Sequence, residues 1–247
     1  MVWDTATGER IHTLRDKSDT MMALQDLVVD PEDSTDSEIV LVSSSSDPHI
    51  RRWRVNLESA SQIIDTADTP VSKDKPATGT ILEHETSVYK VLFAGGDEAP
   101  DLWTASADGT AKCLSRFKQW STEETYEQGD YVRAVVVTGD WAVTAGRNED
   151  VKVWNRATGK LHLVYDGHYE EVTGLVLLEG EKKVISVSID GTVRVWGLTK
   201  NELEKAQKEK DDKAKGLLQA EKLQPKKSLL TAEEEAELAE LMDSDDE

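Results

Sequence analysis

Only one cysteine, Cys113, stands in the 247 residues. An internal disulfide needs two, so no covalent staple holds this chain, and the thiol is expected as a small buried apolar side chain in a reducing compartment. Basic residues are scarce beside acidic ones: 29 Lys and Arg face 49 Asp and Glu, a formal net charge of −20. Phosphate backbones are bound by clustered cations that displace counterions. Direct contact with nucleic acid or an acidic membrane surface is therefore not expected. Long hydrophobic runs are missing as well. No window approaches the ~18 apolar residues of a membrane-spanning helix, and the N-terminus lacks a basic-then-apolar signal pattern. The expected setting is intracellular, nucleus or cytoplasm. The histidines at 12, 49, 84, 162 and 168 show no ligand spacing with Cys113, so neither a metal site nor a cofactor is expected. Gly95-Gly96-Asp97 reads as a plain turn rather than a phosphate-cradling loop.

What is present is a repeat. Trp196 lies in ISVSIDGTVRVWG with Asp190 six residues before it, and Trp154 in VTAGRNEDVKVWN with Asn148 six before. Trp53 follows Asp47 at the same distance, and Leu114 takes the Trp position six residues after Asp108. Leu114 and Trp154 are 40 residues apart and Trp154 and Trp196 are 42, close to the roughly 40-residue period of a four-stranded propeller blade. Trp53 and Leu114 are 61 apart. The excess falls in residues 58–79, whose later half has the Asp, Thr, Pro, Ser and Lys content of a solvated loop. Within a unit the period is that of strands. Val132, Ala134 and Val136 alternate in YVRAVVV, as do Val193 and Val195 in TVRVW. Asp108-Gly109 and Asp190-Gly191 supply tight turns between such runs. Each unit reads as strands a and b, a tight turn, strand c and a weaker outer strand d.

These features resemble the WD40-repeat family. The family's Gly-His dipeptide stands at Gly167-His168, His84 holds the His position in LEHETSV, and the closing Trp-Asp is intact at Trp3-Asp4. Trp53-Arg54, Trp154-Asn155 and Trp196-Gly197 are variants of it. The resemblance covers residues 1 to about 199 and implies an all-β propeller of about four and a half blades. It places a partial blade at 1–14 and blades at about 15–83, 84–129, 130–168 and 169–199. Val2-Trp3 corresponds to Val153-Trp154, so MVWDTATGERIHTL reads as strands c and d of a blade without its inner strands. The expectation is the C-terminal part of a longer, incompletely represented seven-bladed ring, with a small closed ring or a ring completed by a second chain as alternatives. Residues 11–14 are a candidate for the outer strand of the last blade.

The resemblance also implies buried tetrads of His, a strand-b hydroxyl, the turn acid and Trp, in which imidazole N–H and hydroxyl satisfy a buried carboxylate. The last unit offers His168, Ser186 or Ser188, Asp190 and Trp196. The second offers His84, Ser106 and Asp108 without a Trp. The first and third offer Asp47 with Trp53 and Asn148 with Trp154, with Asp19 and Asp130 near the missing His. His-Asp-Ser sets at this spacing are read as structural rather than catalytic, so no catalytic residue is assigned. In this family the b–c turns and d–a loops share a rim that binds peptides, which makes His49, Glu85, Tyr131, Arg147, Tyr169 and Ile189 the candidate contacts. Arg51, Arg52 and Arg54 around Trp53 are read as strand-face charges or an acidic-partner patch.

After Leu198 the composition changes. Residues 200–227 are rich in Lys and Glu and are expected to form a solvated helix interrupted at Gly216 or Pro225. Residues 228–247 carry acidic side chains and no basic ones. In this stretch Thr231 and Glu234 make a capping box with Leu230 placed for a hydrophobic staple. Leu238, Leu241 and Met242 share one helical face, and Ser244 before Asp-Asp-Glu resembles an acidophilic-kinase acceptor. The tail is expected to be solubilising or a short linear motif for a partner's groove, and Pro225-Lys226-Lys227 is a weak nuclear address. The function expected is a non-enzymatic protein–protein scaffold, a subunit or assembly factor of a multiprotein complex whose partners are proteins or peptides. A ubiquitin-ligase receptor would carry an F-box or a Trp-Asp-x-Arg motif, and a propeller hydrolase would carry carboxylates converging on the channel. The sequence displays neither, and no small-molecule substrate is evident.

Overall fold

The computed structural model describes residues 1–16, 21–64, 79–95, 99–178, 180 and 182–223, with side chains to residue 216. The chain divides into two compact units, Met1–Leu203 and Glu204–Glu247. In the first, β1 (Val2–Trp3) and β2 (Arg10–His12) pair as a hairpin. Asp4 organises its turn, its carboxylate accepting from the amides of Ala6 and Thr7. Residues 11–14 therefore do not supply the outer strand of the last sheet. The neighbouring β1 lies a few residues away and captures β2 first.

Four antiparallel meanders follow in chain order. The first sheet holds β3 (Leu24–Val29), β4 (Ile39–Ser45), β5 (His49–Val55), β6 (Ala60–Gln62) and β7 (Thr80–Leu82). Its outer position is split: β6 pairs with the Trp53–Val55 end of β5 and β7 with the His49–Arg51 end. The stretch expected as loop, 58–79, thus begins with a strand. The second sheet is β8 (Val88–Ala94), β9 (Asp101–Ser106), β10 (Thr110–Ser115) and β11 (Ser121–Glu127). The third is β12 (Val132–Val137), β13 (Trp141–Gly146), β14 (Val151–Asn155) and β15 (Lys160–Tyr165). Among the described residues the last sheet has three strands, β16 (Val172–Leu178), β17 (Lys183–Ser188) and β18 (Val193–Gly197).

The inner strands β3, β8, β12 and β16 neighbour one another in that order, the radial arrangement of propeller blades. Two apolar clusters fill the gaps between the first and second and between the second and third of these sheets. Val42, Ile50, Val88, Val91, Leu102, Leu114 and Trp120 pack together, as do Trp103, Cys113, Tyr126, Val132, Val135 and Trp154. Near its start each inner strand carries a register shift, between Leu24 and Asp26, Val88 and Lys90, Val132 and Ala134, and Val172 and Gly174. The residue inside each shift is Gln25, Tyr89, Arg133 or Thr173, and a bulge at a fixed place re-aims that side chain.

The two end sheets differ from those between them. Val187 pairs with Val193, and Ile185 with both Val176 and Val195, so these side chains share one face of the last sheet. Val176, Val187, Val193 and Val195 are 38–66% exposed, and on β3 of the first sheet Leu24, Leu27 and Val29 are 47–56% exposed.

Helix α1 (Lys200–Leu223) passes through Gly216 without a break. Glu202 and Thr199 form its capping box, Thr199 donating to the Glu202 carboxylate and receiving from the Glu202 amide. In the second unit the described residues continue this helix, with Gln207 donating to Asp211 along an exposed face. Residues 224–247, including Leu238, Leu241, Met242 and Ser244, lie outside the described residues.

Candidate functional site

Each sheet carries a buried polar knot where its b–c turn meets the segment before its inner strand. In the last, His168 Nδ1 lies 2.9 Å from Asp190 Oδ2 and His168 Nε2 2.7 Å from Ser186 Oγ. Trp196 Nε1 donates to the same Ser186 oxygen at 2.7 Å, and Thr192 donates to Asp190. Ser186, rather than Ser188, is the tetrad hydroxyl; Ser188 donates to the Glu170 carbonyl. The Ser–His–Asp set is sealed: Ser186 is fully buried and its oxygen is occupied by an indole N–H, so no substrate carbonyl can approach it.

The second sheet corrects one expectation. His84 meets Asp108 at 2.7 Å and Thr104 Oγ1 at 2.7 Å, whereas Ser106 donates to the Ser87 carbonyl and receives the Asp108 amide. Along a strand, alternate residues share a face, and Thr104 and Ser106 both point inward; the ring reaches the one farther from the turn. Leu114, in the Trp position, is fully buried. The Asp108 carboxyl is pulled two ways: burial raises it, while hydrogen bonds from His84 and Thr110 outweigh burial and hold it well below the usual carboxylate range. For Asp190, burial is likewise outweighed, by Thr192 and His168.

In the third sheet Gln128, not Asp130, takes the imidazole's place. Its amide donates to Asn148 Oδ1 at 2.8 Å and accepts from Thr144 Oγ1 at 2.6 Å, and Trp154 donates to Thr144 at 2.7 Å. Asp130 instead accepts from the Tyr131 amide. A carboxamide has a donor and an acceptor end, so with Asn148 it builds an uncharged version of the knot. The first sheet is ionic. Arg51 reaches Asp47 at 3.0 Å and Asp16 at 3.1 Å, and Trp53 donates to Ser43 at 2.8 Å. Asp19 lies outside the described residues. Arg51 lies on the strand face but is only 1% exposed, which removes it from any acidic-partner patch: a buried guanidinium is tolerated when paired and hydrogen-bonded on several sides. Arg52 bonds Asp33, and Arg54 pairs with Glu38 at 2.9 Å, so this trio is committed within the sheet.

One shared feature escaped sequence reasoning. Arg51, Lys112, Lys152 and Arg194 each stand four residues after the turn acid or amide. Lys112 donates to the Glu83 carbonyl and Lys152 to the Gln128 carbonyl. Arg194 packs so closely on Gly167 that a Cβ there would lie 3.1 Å from its guanidinium. The basic residue fastens the approaching segment, and its fixed spacing was legible in the sequence.

These knots present the candidate rim. Arg147 donates its amide to the Tyr131 carbonyl, and its guanidinium lies 5.2 Å above the Tyr131 ring. Tyr169 donates its amide to Asp190 and Ile189 its amide to the Glu171 carbonyl; their side chains are 76% and 63% exposed. Glu85 is exposed, its amide bound to Asp108. His49 is half-buried and tied to Thr80 at 3.1 Å. Beside them, and not anticipated, Arg133 lies 4.2 Å over the Tyr89 ring and pairs with Glu171 at 2.5 Å. Cys113 is buried and its thiol is pushed up to about 12, by burial first and by Asp101 and Glu124 beside it, so it is no nucleophile near neutrality. Among the described residues no His, Cys, Asp and Glu cluster is arranged to hold a metal ion.

Comparison with known proteins bears on this geometry. An uncharacterized WD repeat-containing protein of Schizosaccharomyces pombe is 32% identical across 97% of this chain and 68% of its own length. The chain belongs to the WD-repeat family. The family profile described as "WD domain, G-beta repeat" matches residues 159–197, which span β15 to β18. The nuclear distribution protein nudF of Aspergillus niger is 26% identical over 65% of this WD-repeat chain, which spans 37% of that relative's length. Among solved structures, the computationally designed Ika4 protein superposes with a TM-score of 0.52 at 21% identity, over 78% of this chain and all of its own, a likeness of fold alone. WD-repeat proteins are of the protein-interaction scaffold type and are generally non-enzymatic. No described helix is long and apolar enough to cross a membrane.

Proposed function

We propose that this WD-repeat chain is a non-enzymatic scaffold, a subunit or assembly factor of a multiprotein complex, that holds protein partners on the rim formed by Tyr131, Arg147, Tyr169 and Ile189, with Glu85 and His49 at its edge. The observation that carries this is the combination of exposed side chains on a locked backbone. Tyr169 and Ile189 are largely exposed, yet Asp190 and the Glu171 carbonyl hold their amides. Exposed Tyr, Arg and aliphatic side chains on a rigid support suit a contact surface, because little ordering entropy is lost on binding. The His84, Gln128 and His168 knots serve this role by fixing the turns rather than by chemistry.

A photocrosslinking residue at position 169 tests the reading, compared between the parent chain and a Tyr131→Ala/Arg147→Ala variant. Expected is a discrete crosslinked protein that the variant loses while its thermal midpoint is unchanged. Crosslinking of equal yield in both would overturn the assignment of the rim.

A further inference from the structure

A second surface lies apart from the rim. The turn between β12 and β13 (Thr138–Trp141), Leu177 at the end of β16, Lys182, and the segment after β18 (Leu198–Lys200) enclose a cavity of about 630 Å³. This is within the range of roughly 300–1,000 Å³ that holds ligands. Its walls are fixed. Thr138 accepts the Trp141 amide and donates to the Trp141 carbonyl. The Leu198 amide is bound to the Lys182 carbonyl. The Trp141 ring is backed by His162 at 4.7 Å. Trp141, Leu177 and Leu198 give the cavity an apolar floor.

The mouth has the opposite character to the molecule. Lys182 and Lys200 are exposed there, and neither makes a hydrogen bond or ion pair with another described residue; Asp140 supplies the one carboxylate among the lining residues, and the nearby Glu202 carboxylate is taken up by Thr199. In a chain of net charge −20, an apolar groove edged by two uncommitted lysines attracts anionic rather than cationic partners. Gly139, in the lining, opens onto space: a Cβ there meets nothing within 4 Å.

We infer that this groove binds an acidic peptide segment of a partner protein, an aliphatic side chain seated on Trp141, Leu177 and Leu198 and flanking carboxylates on Lys182 and Lys200. It is a contact additional to the rim. The test uses the full chain and a fluorescein-labelled peptide, Asp-Leu-Glu-Leu-Asp-Glu, read by anisotropy. Expected is saturable binding that a Lys182→Glu/Lys200→Glu variant weakens about tenfold or more, that Gly139→Trp removes, and that Tyr131→Ala/Arg147→Ala leaves unchanged. Both lysines are exposed, and circular dichroism confirms that each variant is folded. Absence of saturable binding overturns the inference, as does undiminished binding by the charge-reversed variant. Equal competition by Asp-Gly-Glu-Gly-Asp-Glu also overturns it, because the apolar floor would then play no part.

Discussion

Four knots of three chemistries solve one problem, the burial of a polar turn against a neighbouring segment. An ion pair does it in the first sheet, imidazole–carboxylate in the second and last, and an amide pair in the third. The difference has a pH signature. Asp108 and Asp190 have folded pKa values held below the ordinary carboxylate value. Their contribution is therefore fully present above the unfolded value of about 4 and is lost as pH falls through that value toward the folded one. Urea midpoints measured from neutral pH downward should fall steeply below about pH 4, and Asp108→Asn or Asp190→Asn should flatten that limb. A variant with an unchanged acid limb would show that these carboxylates are not coupled to folding. Asn148 cannot titrate, and its Nδ2 donates to the Gln128 carbonyl and the Asp150 carboxylate, so Asn148→Asp sets a carboxylate against two acceptors and should lower the midpoint at neutral pH, with part of the loss recovered as pH falls. The His168 knot was readable because Gly-His, Asp and Trp are conspicuous in type and spacing. Gln128 was not, since an amide two positions from a more obvious Asp130 advertises nothing until its two ends are seen paired.

At the scale of elements, backbone approach decides what composition does not. A Cβ on Gly146 would lie 1.8 Å from the Tyr131 carbonyl oxygen, because the end of β13 crosses the entry to β12 there. Gly146→Ala is expected to cost about 3 kcal/mol, measured by denaturant unfolding. Gly139→Ala, which meets no atom, should be near neutral. Helix α1 continues through Gly216 since its i→i−4 ladder needs only backbone atoms, and glycine interrupts it by entropy alone. Gly216 has open space around it, so Gly216→Ala should increase helicity in far-ultraviolet circular dichroism and favour the helix by about 1 kcal/mol. The split outer strand of the first sheet was hidden for a related reason. Ala60–Gln62 is too short and polar to read as a strand, and only the unpaired edge of β5 recruits it.

For the molecule, the decisive contrast is between inner and end sheets. The three inner strands of the second and third sheets carry no exposed residue, whereas Val176, Val187, Val193 and Val195 on the last and Leu24, Leu27 and Val29 on the first meet solvent. Such patches drive association. This 247-residue polypeptide should bind an apolar dye in its folded state and self-associate with rising concentration in light scattering. Val193→Lys/Val195→Lys should reduce both without lowering the thermal midpoint. Dye binding unaffected by these substitutions would place the exposed apolar surface elsewhere. The sequence by itself determined the repeat, the strand order within each unit, the tight turns and the absence of any staple. Those follow from local periodicity and from spacings that recur every forty or so residues. Only the tertiary structure decided which hydroxyl meets each imidazole, that Arg51 is buried between two aspartates, and where a cationic groove opens in an acidic chain. Each of these depends on side chains brought together from distant positions, and their mutual distances are set by how the sheets pack rather than by any one stretch of residues.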